Sequence, residues 1–205
     1  PDFETKSTYS ISVVSTDAGG KAYSKFFEIS ILDANDAPTV TTKATLAINT
    51  GSSYSYTFAA SDADAGDTVT YAATILPSWL SFNASTGVLS GTPKNSDVGN
   101  NFVTLKATDD DKAEAIQSFT IAVGISDTAA NLAPGGTASS VLTAATNQDD
   151  NVAITITGTA PTVAELNKIA SLTTGAVTAS ISGNKTTLAG LTTASTDAVT
   201  MTVTD

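Results

Sequence analysis

The chain contains no cysteine, no histidine and no arginine. Without cysteine it closes no disulfide and offers no thiol nucleophile. Without histidine it has no imidazole base, and the usual ligands of zinc and copper are gone with it. What remains for a metal is oxygen from carboxylates, amides and carbonyls, a donor set that selects hard ions such as calcium. Positive charge is also scarce: nine Lys face 20 Asp and Glu over 205 residues, a formal net charge of −11. A nucleic acid or an anionic membrane needs a basic face, so neither is expected as a partner. No apolar run approaches the roughly 18 residues of a membrane helix, so no membrane insertion is expected. The opening residues 1–4, PDFE, lack the parts of a secretion signal and read as the interior of a longer polypeptide. GxSxG, HExxH and P-loop patterns are missing, and the paired carboxylates sit in turn-like segments rather than a cleft-forming pattern. The sequence therefore predicts no enzyme.

Charged residues make up only 14% of the chain and apolar ones 41%, with Thr, Ser and Ala filling the gap. That mixture suits short half-buried strands. Segments 9–14, 26–32, 54–60, 68–75, 102–108 and 119–125 alternate apolar and polar residues between clusters of Gly, Asp, Asn and Pro. Period-two alternation at this spacing predicts antiparallel sheets packed as a β-sandwich.

Beyond about residue 127 the texture changes. In 162–172, TVAELNKIASL, the residues Val163, Leu166, Ile169 and Leu172 share one helical face, and Thr162 with Glu165 forms a capping box. Strand-like pieces at 152–159, 176–183 and 198–205 recur at a near-constant interval, with TTLAGL (186–191) in the second gap. A βαβ stack is the expectation and a third β-sandwich the alternative.

The segment ILDANDAPTV (31–40) places Asp33, Asn35 and Asp36 within four residues. A turn needs one such side chain. Acidic clusters recur at Asp2 and Glu4, at Asp62, Asp64 and Asp67, and at Asp109 to Asp111. Taken singly, each reads as a solvated turn.

Residues 2–38, with DFE, a strand ending in TDAG and the closing DANDAP, resemble the last third of a cadherin-type repeat. The closing motif is one residue shorter than in animal cadherins, a form found in bacterial cadherin-like modules. Residues 38–125 resemble the bacterial dystroglycan-type cadherin-like, or immunoglobulin-like, module. The segments SDADAGDTVTY (61–71), LPSWLSFNASTGVLSGTP (76–93) and VTLKATDDD (103–111) carry that likeness. The C-terminal stretch resembles repeats of very large secreted bacterial surface proteins through SDTAANLA (126–133) and residues 159–175.

The resemblance implies calcium at the junction, held by Asp2, Glu4, Asp33, Asn35 and Asp36 from the first module and Asp62, Asp64 and Asp109 from the second. Asp67 stands where the family often has Asn, so its role is left open. Seven of these positions are carboxylates and would repel one another without an ion. Two or three calcium ions would cancel roughly four to six charges and crosslink the modules. Asp110 and Asp111 are expected to be a solvated turn, NQDDN (147–151) a loop, and Gly87 and Gly91 turn residues with positive φ. Trp79 is expected in the core rather than as a sugar-stacking face, and aromatics at strand positions predict no exposed aromatic patch.

The expected fold is mainly β: immunoglobulin/cadherin-like sandwich modules in an elongated array with a C-terminal β-rich module containing short helices. The expected division is 1–37, 38–126 and 127–205. The expected function is a calcium-rigidified extender of a large extracellular bacterial adhesin or surface protein. Its partners would be neighbouring modules or copies of the same protein, with any cell-surface or carbohydrate target bound by other domains. A self-assembling surface-layer or filament subunit with inter-chain strand complementation is the alternative, and a carbohydrate-binding module a weaker one.

Overall fold

Strands β1 (Thr8–Thr16) and β2 (Ala22–Ser30) pair antiparallel, Thr8 opposite Ser30 and Thr16 opposite Ala22. The structure is a computed structural model that describes residues 2–148 and 151–204. Asp17 closes this hairpin because its Oδ1 accepts from the amides of Gly19 and Lys21, both at 2.9 Å. The register puts Tyr9, Ile11, Val13, Tyr23, Phe27 and Ile29 on one face. No second sheet lies over it among the described residues, and Tyr23 is 72% and Ile29 48% exposed. Aromatic surface is therefore exposed here, contrary to expectation. Alternation places side chains on a face, but only a covering layer buries them.

Seven short strands follow: β3 (Thr39–Val40), β4 (Ala47–Asn49), β5 (Tyr54–Thr57), β6 (Ala60–Ser61), β7 (Thr70–Ile75), β8 (Leu80–Asn83) and β9 (Val88–Gly91). Two long ones, β10 (Gly99–Thr108) and β11 (Glu114–Thr128), come next. One sheet carries β7, β10 and β11, with β4 parallel to β11; the facing sheet is β5-β9-β8, and β3 pairs with β6. Between them lie Tyr54, Tyr56, Phe58, Leu89, Val103, Leu105, Ile121 and Val123, all buried. This is a two-sheet β-sandwich of immunoglobulin-like architecture.

The run at 54–60 is not one strand. It breaks after Thr57, where the Phe58 amide donates to Gly87 O at 2.9 Å and the Ala59 carbonyl accepts from Thr41 N. Trp79 packs against the core and donates from Nε1 to Asn101 Oδ1 at 2.9 Å. Gly87 has φ +69°, but Gly91 lies in β9 without positive φ. A Cβ on Gly91 would sit 2.1 Å from Trp79 O, so close backbone approach, not turn geometry, requires glycine there.

The remaining elements are α1 (Ala129–Leu132), α2 (Ser140–Gln148), β12 (Ile154–Thr157), α3 (Val163–Ala170), β13 (Val177–Gly183), α4 (Lys185–Leu188) and β14 (Ala198–Val203). Strands β11 to β14 pair parallel in sequence order, the arrangement of a βαβ stack rather than another sandwich. Along β13, Val177, Ala179 and Ile181 are buried against Leu142, Leu166 and Ile169, while Thr178, Ser180 and Ser182 face solvent. Thr162 caps α3: its Oγ1 accepts from Glu165 N, and Glu165 Oε2 accepts from Thr162 N at 2.8 Å. Helix α2, unforeseen in the sequence, buries Leu142 and Ala145 and runs into the NQDDN segment, of which Asp149 and Asp150 lie outside the described residues.

Candidate metal centre

Four separated segments bring their acidic side chains together where the hairpin meets the sandwich. Asp33, Asn35 and Asp36 follow β2; Asp62, Asp64 and Asp67 lie in the loop between β6 and β7; Asp109 to Asp111 form the β10–β11 turn; Glu4 precedes β1. Two hydrogen bonds tie the first of these segments to the second and the third. Asn35 Nδ2 donates to Asp109 Oδ2 at 3.0 Å, and the Asp36 amide donates to Asp64 Oδ2 at 2.8 Å.

Among the described residues, two carboxylate groups have ligand-capable atoms within 4.8 Å of one another: Glu4, Asp36 and Asp64, and Asp62, Asp67 and Asp109. Asp33 and Asn35 line a recess with Asp64, Asp67 and Asp111 beside them. Asp111, assigned from sequence to a solvated turn, thus borders the cluster. Asp110 is committed elsewhere, accepting from the Thr68 hydroxyl at 2.8 Å and the Thr68 amide at 3.2 Å. Those bonds hold its carboxyl below the usual range.

Asp2 stands apart. Its Oδ2 accepts from the Thr5 hydroxyl at 2.7 Å and its Oδ1 from the Glu4 amide at 3.2 Å, which lowers its pKa and uses it as a local turn cap. It lines a recess with Glu4 and Asp36 but joins neither close carboxylate group. Asp67, left open in the sequence reading, lies inside the second group.

The electrostatics fit a cation. Burial, with the charges of Asp110, Asp62, Asp64 and Asp111 adding to it, pushes the Asp67 carboxyl up. A backbone hydrogen bond lowers the pKa of the exposed Glu4, but its hydrogen bond with Asp2, slight desolvation and the neighbouring Asp33 outweigh it and leave it raised. Asp109 is only 2% exposed; its Oδ1 accepts from the Ala113 amide at 2.8 Å. Three oxygens, Asp62 Oδ2, Asp64 Oδ1 and Asp67 Oδ2, are buried with no hydrogen-bond partner among the described residues. Buried acceptors without donors are costly. An all-oxygen set with orphaned carboxylate oxygens suits calcium and offers nothing soft enough for zinc or copper.

Residues 37–124 match the model of the family described as "Putative Ig domain". No curated protein matches the chain. The chain is similar to protocadherin gamma B7 extracellular cadherin domains 1–4, with 19% identity and a TM-score of 0.44 over 61% of this chain and 34% of that one. It is similar to mouse cadherin-23 EC22–24, with 21% identity and a TM-score of 0.43 over 60% of this chain and 44% of that one. A further likeness is to an endo-fucoidan hydrolase of glycoside hydrolase family 107, with 20% identity and a TM-score of 0.35 over 58% of this chain and 19% of that one. The chain thus spans about a third of the protocadherin fragment. No helix among the described residues is long and apolar enough to cross a membrane.

Proposed function

With residues 37–124 an immunoglobulin-like module, we propose that the chain is a structural, adhesion-type extracellular segment whose first joint is stiffened by calcium. The carrying observation is the trio of partnerless buried oxygens on Asp62, Asp64 and Asp67, at the point where residues 33–36 cross to the sandwich. In this reading Glu4, Asp36 and Asp64 hold one ion, and Asp62, Asp67 and Asp109 another. Asp33 and Asn35 stand close enough to contribute, and Asp2 keeps the Glu4 turn in shape. Bound calcium supplies positive charge that removes the carboxylate repulsion and links the hairpin to the sandwich. The role is mechanical and involves no catalysis. Neighbouring modules of the same polypeptide are the partners, and any cell-surface or carbohydrate target belongs to other domains.

Thermal unfolding in calcium and in chelator tests the reading. A ligand that binds only the folded chain raises its melting temperature. An unchanged melting temperature, together with no heat of calcium binding, overturns it.

One observation favours a second reading, self-assembly. The hairpin face of Ile11, Val13, Tyr23, Phe27 and Ile29 is exposed, and a two-stranded hairpin needs a covering layer to be stable. If a second copy supplies that layer, sedimentation finds a concentration-dependent oligomer that Ile11→Ser with Phe27→Ser abolishes. A monomer at all concentrations removes this reading.

A further inference from the structure

Strand β11 leaves the sandwich and enters the parallel sheet without a break. Val123 is opposite Gly99 of β10, Gly124 is opposite Asn49 of β4, and Ile125 is already opposite Ile154 of β12. Units of a chain ordinarily meet through an exposed linker that few contacts cross. Here the backbone ladder passes straight through.

Hydrogen bonds lock the seam from both sides. Thr50 N donates to Gly124 O at 2.9 Å and Ile125 N to Ala153 O at 2.8 Å. Asn49 Nδ2 donates to Thr155 Oγ1 at 3.2 Å. The cores also meet, because Val98, just ahead of β10, is buried in the same cluster as Ile125, Leu142 and Ile154. A Cβ on Gly124 would lie 2.7 Å from Ala153 O and 2.8 Å from Asn49 Oδ1. The Ala153 contact is backbone and the Asn49 contact a side-chain end, so it is the approach of the Ala153 backbone that calls for glycine here.

The joint at residues 31–38 is of another kind. Among the described residues, β1 and β2 pair only with each other. The contacts that cross to the sandwich, Asn35 to Asp109 and Asp36 to Asp64, run through the acidic cluster.

We propose that the chain has two unlike joints: a cation-dependent one at residues 31–38 and a fused, cation-independent one at Gly124. The described residues of 38–148 and 151–204 then fold and move as one body, and orientation is adjustable only ahead of the sandwich. The fused joint does not rest on the calcium reading, since no carboxylate takes part in the seam contacts named above.

The chain has no cysteine, so introduced pairs can carry spin labels at chosen exposed sites. Ser85→Cys with Thr186→Cys spans the fused joint; Ser24→Cys with Ser85→Cys spans the other. Electron–electron distance measurements on the full chain are expected to give one narrow distance for the first pair in calcium and in chelator alike. A first pair that broadens in chelator, or is broad in both buffers, overturns the fused joint. A second pair indifferent to calcium counts against the calcium reading alone and leaves the fused joint standing. Gly124→Val is expected to abolish the narrow distance of the first pair; retention of that distance overturns the role of the seam. Should that variant not fold, calorimetry of the unaltered chain decides. One transition for residues 38–204 supports the proposal, and two resolved transitions for the sandwich and the parallel sheet overturn it.

Discussion

The Asn35 side chain donates to Asp109 Oδ2 at 3.0 Å, joining two residues 74 positions apart. Asp109 is buried, and its other oxygen holds the Ala113 amide in the β10–β11 turn. One carboxylate therefore fixes the turn, receives the segment after the hairpin and faces Asp62 and Asp67.

Replacing it removes an acceptor from two donors while also removing a charge from a repulsive group. Asp109→Ala is expected to cost about 1–3 kcal/mol in calcium, from the stranded donors and the lost ligand. In chelator the loss is expected to be smaller, because Asp62 and Asp67 are relieved. Urea midpoints in the two buffers measure the difference, and equal losses remove the repulsion argument.

Asp2 and Asp67 separate the ligand set inherited from the resemblance from the one drawn by geometry. The Asp2 oxygens are taken by Thr5 and Glu4, whereas Asp67 Oδ2 is buried and partnerless. Asp67→Asn is expected to weaken calcium binding by at least about tenfold, since losing even an outer-shell partner costs about that much, and Asp2→Asn to change it little. Titration calorimetry ranks them; the reverse order refutes this assignment.

Acid should act in opposite directions in the two buffers. Asp67 is raised, so the folded chain without a cation holds that proton to higher pH than the unfolded chain does. Its penalty is present near neutrality and fades as pH falls through the raised value toward the ordinary 3.8. Asp110 runs the other way, but its lowered pKa makes its contribution vanish only below 3.8. Acidifying from neutrality toward 3.8 is thus expected to raise the melting temperature in chelator. In calcium the same change is expected to lower it, because protons compete for the ligands. A scan of melting temperature against pH in each buffer checks both signs.

Gly91 tests the sandwich itself. A methyl there would meet the Trp79 carbonyl at 2.1 Å, and backbone gives way less readily than a side chain. Gly91→Ala is expected to cost about 1–3 kcal/mol, the range for overpacking. Chemical denaturation measures it, and near-wild-type stability would mean β8 and β9 can part freely.

The α3 cap offers a local counterpart. Thr162→Ala deletes the acceptor for Glu165 N and is expected to cost about 1 kcal/mol. The denaturation midpoint of the full chain reads it, with the calcium response unaltered.

Some of this was legible in the residues. Period-two alternation announced β1, β2, β7, β10 and β11 because a strand exposes alternate side chains to different surroundings. The Thr162–Glu165 box announced α3, since both partners lie within one turn. Strands β8 and β9 were hidden inside a recognisable phrase. Helices α1 and α2 were hidden too, because α1 is a single turn, AANL, and α2, SVLTAATNQ, is largely Ala, Ser and Thr with few apolar residues to mark a period.

The candidate site divides along the same line. Its chemistry was settled by composition: with no His and no Cys, only oxygen donors remain to hold a metal. That Asp2 serves a turn while Asp67 enters a carboxylate group depended on which atoms the folded backbone satisfies. The fused seam at Gly124 was equally invisible, because a glycine in a strand looks the same whether or not another backbone lies against it. Local pattern is written in neighbouring residues, whereas these contacts join positions dozens of residues apart, and only the tertiary fold brings them within bonding distance.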